Sequence, residues 1–200
     1  MKRDHTNVGL SDELILGLLG HRYEIDTREQ LPLPLVGLPV DRVGLKVGDY
    51  GISGYSHEIV VERKSVADLV GSLTRDRERF QRELEKLATF HRAIIVVEGD
   101  YTDVADGLYR GAARPTSLIA SIASIHSRYG IATLFAGNRT RATHFVRVWL
   151  SKNVQRLRLA RQEARHHEHP GHQHDEEIGP PQRQRQRDQD VEQEGYFELI

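Results

Sequence analysis

Asp49 and, after twelve intervening residues, the tripeptide Glu62-Arg63-Lys64 hold the residue types that phosphodiester chemistry needs. His57–Lys64 reads as a strand, and side chains alternate faces along a strand. Val60, Glu62 and Lys64 then share one face, and Ile59, Val61 and Arg63 take the other. A carboxylate and an ammonium two residues apart on a rigid strand point the same way. Asp49, from the segment just before, comes within reach of that face. Two carboxylates suit a hard cation such as Mg²⁺, which prefers oxygen ligands. Such a cation polarises a phosphoryl oxygen and activates water. A neighbouring lysine orients that water or offsets developing negative charge. Taken alone the pattern also describes a solvated strand end, so its surroundings decide.

Those surroundings alternate strand and helix patterns. Arg22–Asp26 is a short strand. Arg42–Val47 and His57–Lys64 are two more, flanking a Gly-rich, turn-bearing hairpin region at Gly48–Gly54. Ser65–Phe90 is helical with a break near Thr74. Ala93–Glu98 is apolar enough to be buried on both faces. Ser117–Tyr129 is a helix, Ile131–Phe135 a strand, and a third long helix starts at Arg141. This order predicts an α/β fold, a mixed central sheet flanked by helices on both sides.

The chain has 200 residues, no cysteine and 28% charged residues. Without cysteine there are no disulfides, iron–sulfur clusters or thiol nucleophiles. No stretch reaches the roughly 18 apolar residues of a membrane span, and Leu14–Leu19 is too short for a secretory signal. The expectation is a cytoplasmic protein with no membrane contact. Net charge is −1 over residues 1–20, +3 over 21–152 and −3 over 153–200. Beyond residue 153 apolar residues thin out, leaving the Gln182–Arg187 repeat and five histidines, His166, His167, His169, His172 and His174. The expected organisation is an N-terminal extension over 1–20, a catalytic domain over 21–152, and a helical extension with a disordered polar tail over 153–200. The histidines are a loose metal-binding tract or a solvated run, and Tyr196–Ile200 is a docking cluster or a free apolar end.

Four ordered motifs tie these readings together. Val61–Leu69 has the form V-E-R-K-x-x-x-D-L, Val47–Tyr50 is V-G-D-Y, and Asp26–Glu29 is D-x-R-E. Arg77 and Gln81 make R-x-x-x-Q, and Val97-Glu98-Gly99 closes the next strand. In these motifs, over about residues 22–152, the chain resembles the XPF-type nuclease domain family, above all its short stand-alone bacterial and phage forms. The resemblance implies a restriction-endonuclease-like core and Mg²⁺- or Mn²⁺-dependent DNA endonuclease activity in repair, recombination or phage DNA processing. It implies Asp49 and Glu62 as metal carboxylates, helped by the Arg63 carbonyl, with Asp26 as a further acidic group at the metal. Lys64 would be the catalytic lysine, and Arg63 and Asp68 would complete the signature. Arg28, Arg77 and Gln81 would face DNA, although Asp76 stands where the family usually has Gly before that arginine.

Each residue also has a plainer reading. Asp26 can cap Arg28, Asp68 can close a capping box with Ser65, and Arg77 and Gln81 can be a solvated helical pair. Arg75, Arg79, Arg82 and Lys86 form a basic stripe, either phosphate contacts or a surface laced with ion pairs. Arg110 and Arg114, before Pro115, are a second candidate DNA contact. The larger family members carry tandem helix-hairpin-helix modules, and residues 153–200 have neither the length nor the apolar pattern for them. Preference for flaps, forks, nicks or junctions is then left open for a partner to supply, the expected partners being DNA and either a second copy of the chain in a homodimer or a DNA-targeting protein. The alternatives are a non-catalytic DNA- or protein-binding scaffold of the same fold, and a restriction-type enzyme with sequence specificity.

Overall fold

The structure, a computed structural model, describes residues 20–168, with side chains to Arg165. The predicted polar tail, its histidine side chains, the Tyr196–Ile200 cluster and the segment before residue 20 lie outside the described residues.

Six strands form one mixed sheet in the order β2-β1-β3-β4-β5-β6. They are β1 (Tyr23–Asp26), β2 (Val40–Val43), β3 (Tyr50–Ile52), β4 (Ile59–Ser65), β5 (Arg92–Glu98) and β6 (Ala132–Phe135). β4, β5 and β6 run parallel, and β3 pairs antiparallel with both β1 and β4. β2 pairs parallel with β1 at the sheet edge.

The hairpin therefore differs from the expected one. The Gly-rich segment contains a strand, β3, whose Tyr50 and Ile52 are fully buried. The polypeptide turns on either side of it, at Gly48 and around Gly54, both at positive φ. The segment expected at Arg42–Val47 becomes the edge strand Val40–Val43 and does not pair with β4. Glycine content masked a strand whose drive comes from its tyrosine and isoleucine.

Helices cover both faces. Val66–Leu73 (α1) and Arg77–Leu87 (α2) flank the expected break, where the Thr74 hydroxyl donates back to the Val70 carbonyl. Tyr101–Ala105 (α3) follows β5, and Pro115–Tyr129 (α4) ends at Gly130 in the left-handed region. These four helices share one core with Val60, Ile95 and Val97. On the opposite face lies Arg139–Glu168 (α5), which presents Ala142, Val146, Leu150, Val154 and Leu157 to Ile59, Val61, Ile94 and Val96. That spacing is one helical stripe, and burying each large member contributes about 1.5–3 kcal/mol. α5 passes residue 152 unbroken, so the core extends beyond that boundary. Among the described residues, no helix is long and apolar enough to cross a membrane.

Candidate active site

Strand alternation sorts the charges of β4. Val60 joins the core under α1 and α2, and Val61 joins the core under α5. Glu62 and Lys64 follow Val60 to one face, and Arg63 follows Val61 to the other. Glu62 and Lys64 are both buried, and Lys64 Nζ donates to Glu62 Oε1 at 2.7 Å. The Phe80 ring of α2 lies 4.8 Å from Nζ, a favourable cation–π contact.

Asp49 reaches this face through the turn before β3. Gly48 has φ +80°, and a Cβ there would stand 2.2 Å from Val60 Cγ2. Only glycine lets the chain pass that close to β4. The Asp49 N–H then donates to the Val61 carbonyl at 2.8 Å, and Asp49 Oδ2 accepts from the Arg63 N–H at 2.8 Å. Asp49 Oδ1 has no hydrogen-bond partner among the described residues.

Glu83 of α2 was not among the residues singled out from the sequence, yet it enters the site. Its Oε1 accepts from Lys64 Nζ at 3.3 Å. Its signal was its place between Phe80 and Leu87, three and four residues away on the buried stripe of α2. Three carboxylates thus face one ammonium. Burial, then the Asp49 charge, raises the Glu62 carboxyl well above the ordinary range. Burial pushes Asp49 up to about 6 against the Arg63 N–H bond, with Glu29 adding to the rise. Burial alone would lower Lys64, but Glu62 and Glu83 outweigh it and hold the ammonium charged.

Two adjoining cavities of about 390 and 580 Å³ share Arg28, Asp49, Glu62 and Arg79 in their walls. Lys46, Arg82 and Lys86 line the first, and Arg75 lines the second. The basic stripe of α2 and the segment before it therefore borders the carboxylates. Among its described ion pairs is one loose contact, Arg79 to Asp76 at 3.8 Å.

The other predicted residues are placed differently. Asp26 lines the first cavity, but both its oxygens are engaged. Oδ1 accepts from the Arg28 N–H and Nε, and Oδ2 from Arg28 Nη2 and the Leu45 N–H. Burial opposes its ionisation, but these donors win and hold its carboxyl below the usual range. Four donors fill the roughly four lone-pair sites of a carboxylate, so the capping reading describes Asp26 as it stands. The Asp68 N–H donates to Ser65 Oγ at 3.0 Å, and Ser65 Oγ donates to Asp68 Oδ2 at 2.7 Å. Asp68 thus supports the helix start from the cavity rim, bonding the Ser65 hydroxyl rather than its N–H. Arg77 and Gln81 line a separate groove between α2 and α4, with Ser121 and Arg128. Arg110 and Arg114 are exposed in the loop before α4, away from the carboxylates.

Arg63 leaves β4 on the other side and is held by acids, and with Glu29 it also borders the second cavity. Its Nε donates to Glu98 Oε1 at 2.8 Å, and Nη1 lies 3.4 Å from both Glu29 oxygens. Arg139 joins through Glu98 at 3.3 Å and bonds the Leu31 and Pro32 carbonyls. This network ties the segment after β1 to β4, β5 and α5.

The donor chemistry fits a hard divalent cation. No three acidic or histidine side chains converge as a metal cage among the described residues. Mg²⁺ is usually held by one or two carboxylates and keeps several waters, which matches Asp49 and Glu62.

A comparison with curated proteins gives no match. Among solved structures the chain is similar to XPF from Aeropyrum pernix, with TM-score 0.54 and 30% identity, over 66% of this chain and 61% of that one. It is equally similar to XPF from Aeropyrum pernix in complex with DNA, with TM-score 0.54 and 30% identity, over 68% of this chain and 65% of that one. The chain thus spans less than two thirds of either structure's length. The ERCC4 domain matches residues 25–148, which carry all of the sheet but the first two residues of β1, both cavities and every carboxylate of the site. The chain belongs to the ERCC4 domain family.

Proposed function

We propose that this protein is a Mg²⁺- or Mn²⁺-dependent endodeoxyribonuclease acting in DNA repair or recombination. The observation that carries the proposal is the convergence of Asp49, Glu62 and Lys64 at two adjoining cavities bordered by Arg28, Lys46, Arg75, Arg79, Arg82 and Lys86. Family membership and the likeness to an XPF solved with DNA support it. Asp49 and Glu62 would hold the ion, which when bound supplies Lewis-acid polarisation of phosphoryl oxygen and water. Lys64, kept charged by its acidic neighbours, offsets negative charge developing on the phosphoryl group. The arginines engage flanking phosphates and position the strand without reading its sequence. Selection of flaps, forks or junctions over plain duplex is the finer form of the same proposal.

The deciding experiment incubates the purified protein with matched duplex, flap, fork and single-stranded DNA, in Mg²⁺, Mn²⁺ or EDTA. Metal-dependent nicking is the expected result. DNA binding with no cleavage in either metal would favour the scaffold reading.

The basic border makes its own prediction. Arg79→Ala and Arg82→Ala should weaken DNA binding about equally across sequences. Each should reduce the slope of log K against log salt by about 1. An unchanged slope would return the stripe to an ordinary solvated face.

Proton competition makes another. Asp49 titrates higher folded, at about 6, than its ordinary 3.8. Its ionised form is therefore unfavourable in the fold, a cost that develops as pH rises from about 4 to about 6 and persists above. A divalent cation relieves that cost and competes with the proton. Mg²⁺ should raise the melting temperature near pH 8 and have little effect near pH 5. Asp49→Asn should lose most of the shift. Equal shifts at both pH values would place the ion elsewhere.

A further inference from the structure

We infer that Glu83 is a positioning residue for Lys64: it receives the ammonium when a divalent cation draws the Glu62 carboxylate away. The inference rests on the metal reading of Asp49 and Glu62 given above.

Lys64 Nζ donates to two carboxylates from different elements, Glu62 of its own strand at 2.7 Å and Glu83 of α2 at 3.3 Å. The closer partner is the one a metal would claim. The Lys64 side chain is only 9% exposed, so losing Glu62 without replacement would leave a buried, unpaired ammonium. Glu83 is the acid in place to prevent that. Phe80 and Leu87 anchor it on α2, and the same Phe80 ring packs under Nζ. Arg79, Arg82 and Lys86 share the cavity wall, yet the ion pair described for Glu83 is with Lys64. The formal charges agree with this. When ionised, Asp49, Glu62 and Glu83 set three negative charges around the one buried ammonium, an excess that a divalent ion would offset. With the ion on Asp49 and Glu62, Glu83 remains to neutralise Lys64 and hold it facing the cavity. In this arrangement Glu83 never touches the metal or the scissile phosphate.

The test is a double-mutant cycle read by Mn²⁺ binding without DNA, from the loss of the free-ion electron paramagnetic resonance signal. The proteins are the parent, Glu83→Gln, Lys64→Met and the double variant, with Glu83→Ala as a second probe of position 83. Melting temperatures establish which variants are folded. Glu83→Gln should weaken Mn²⁺ binding about tenfold in the parent, the usual effect of removing a residue that orients a metal site. In the Lys64→Met background, with no ammonium to rehouse, either change should cost less than about twofold. An equal loss in both backgrounds would make Glu83 a metal ligand or a source of diffuse field, and would overturn the inference. Undiminished binding in the parent background would overturn it as well. No Mn²⁺ uptake by the parent protein would overturn the metal reading itself, and the inference with it. Asp49→Asn, measured alongside, identifies the site being titrated.

Discussion

Glu62→Ala and Lys64→Ala should each lower single-turnover DNA cleavage by about 10²-fold or more while the protein remains folded. Glu62 is one of two carboxylates proposed for the metal, and β4 offers no second acid on that face. Its removal leaves Lys64 paired with Glu83, so the buried ammonium keeps a partner and the fold keeps its core. Lys64→Ala has a different cause. It removes the positive charge proposed to meet the reacting phosphoryl group, and leaves Glu62 and Asp49 without the ammonium that offsets their charge. The two variants therefore separate in Mn²⁺ binding. Glu62→Ala loses affinity, whereas Lys64→Ala keeps or gains it. Cleavage at the parent rate by either folded variant would remove that residue from the chemistry.

The pairing of Glu62 with Lys64 was legible because period-two alternation is a geometric property of any strand. One buried valine, Val60, suffices to set the face. Asp49 was legible in part. Its spacing and the V-G-D-Y motif brought it near, but the device that seats it is the positive-φ Gly48 pressed against Val60, a tertiary contact no local pattern reports. Glu83 stayed hidden for a related reason. Among Arg77, Glu78, Arg82, Glu85 and Lys86 it looks like one more solvated charge, and only the packing of α2 over β4 turns it inward. The same packing brought the Arg79, Arg82 and Lys86 side of α2 to the cavity and turned Arg77 and Gln81 to another groove. Helical spacing says which residues share a face, and the neighbouring element decides what that face meets. The strand β3 was missed because its three residues include Gly51 and lie between Gly48 and Gly54, which leaves too little pattern. Its stability comes from Tyr50 and Ile52 buried between β1 and β4.

Arg63→Ala should be the most destabilising single change in the signature, and its effect arises in the ion pairs with Glu29 and Glu98. The Arg63 side chain is 14% exposed, and those of Glu29 and Glu98 are 8% and 13% exposed. The bond to Glu98 is the main reason its guanidinium holds its proton even more firmly than usual. Truncation leaves Glu29 without its arginine and Glu98 with only Arg139, whose own side chain is 39% exposed. Breaking a buried ion pair from one side costs about 3–5 kcal/mol, because the partner's charge stays buried and uncompensated. For a chain of this size, 3 kcal/mol corresponds to a fall in melting temperature of roughly 6–12 °C. The Arg63 N–H that holds Asp49 belongs to the main chain and survives the change, so metal binding by the folded variant should persist. If uncompensated charge is the cause, Arg63→Met combined with Glu29→Gln and Glu98→Gln should recover most of the loss, since a neutral, well-packed replacement of a buried ion cluster is often near-neutral. Thermal melts of the single and triple variants decide it. A single variant melting within about 2 °C of the parent would show that Glu29 and Glu98 are already served by solvent and Arg139, and that Arg63 has its place in the signature for chemistry rather than for holding β1, β4 and β5 together.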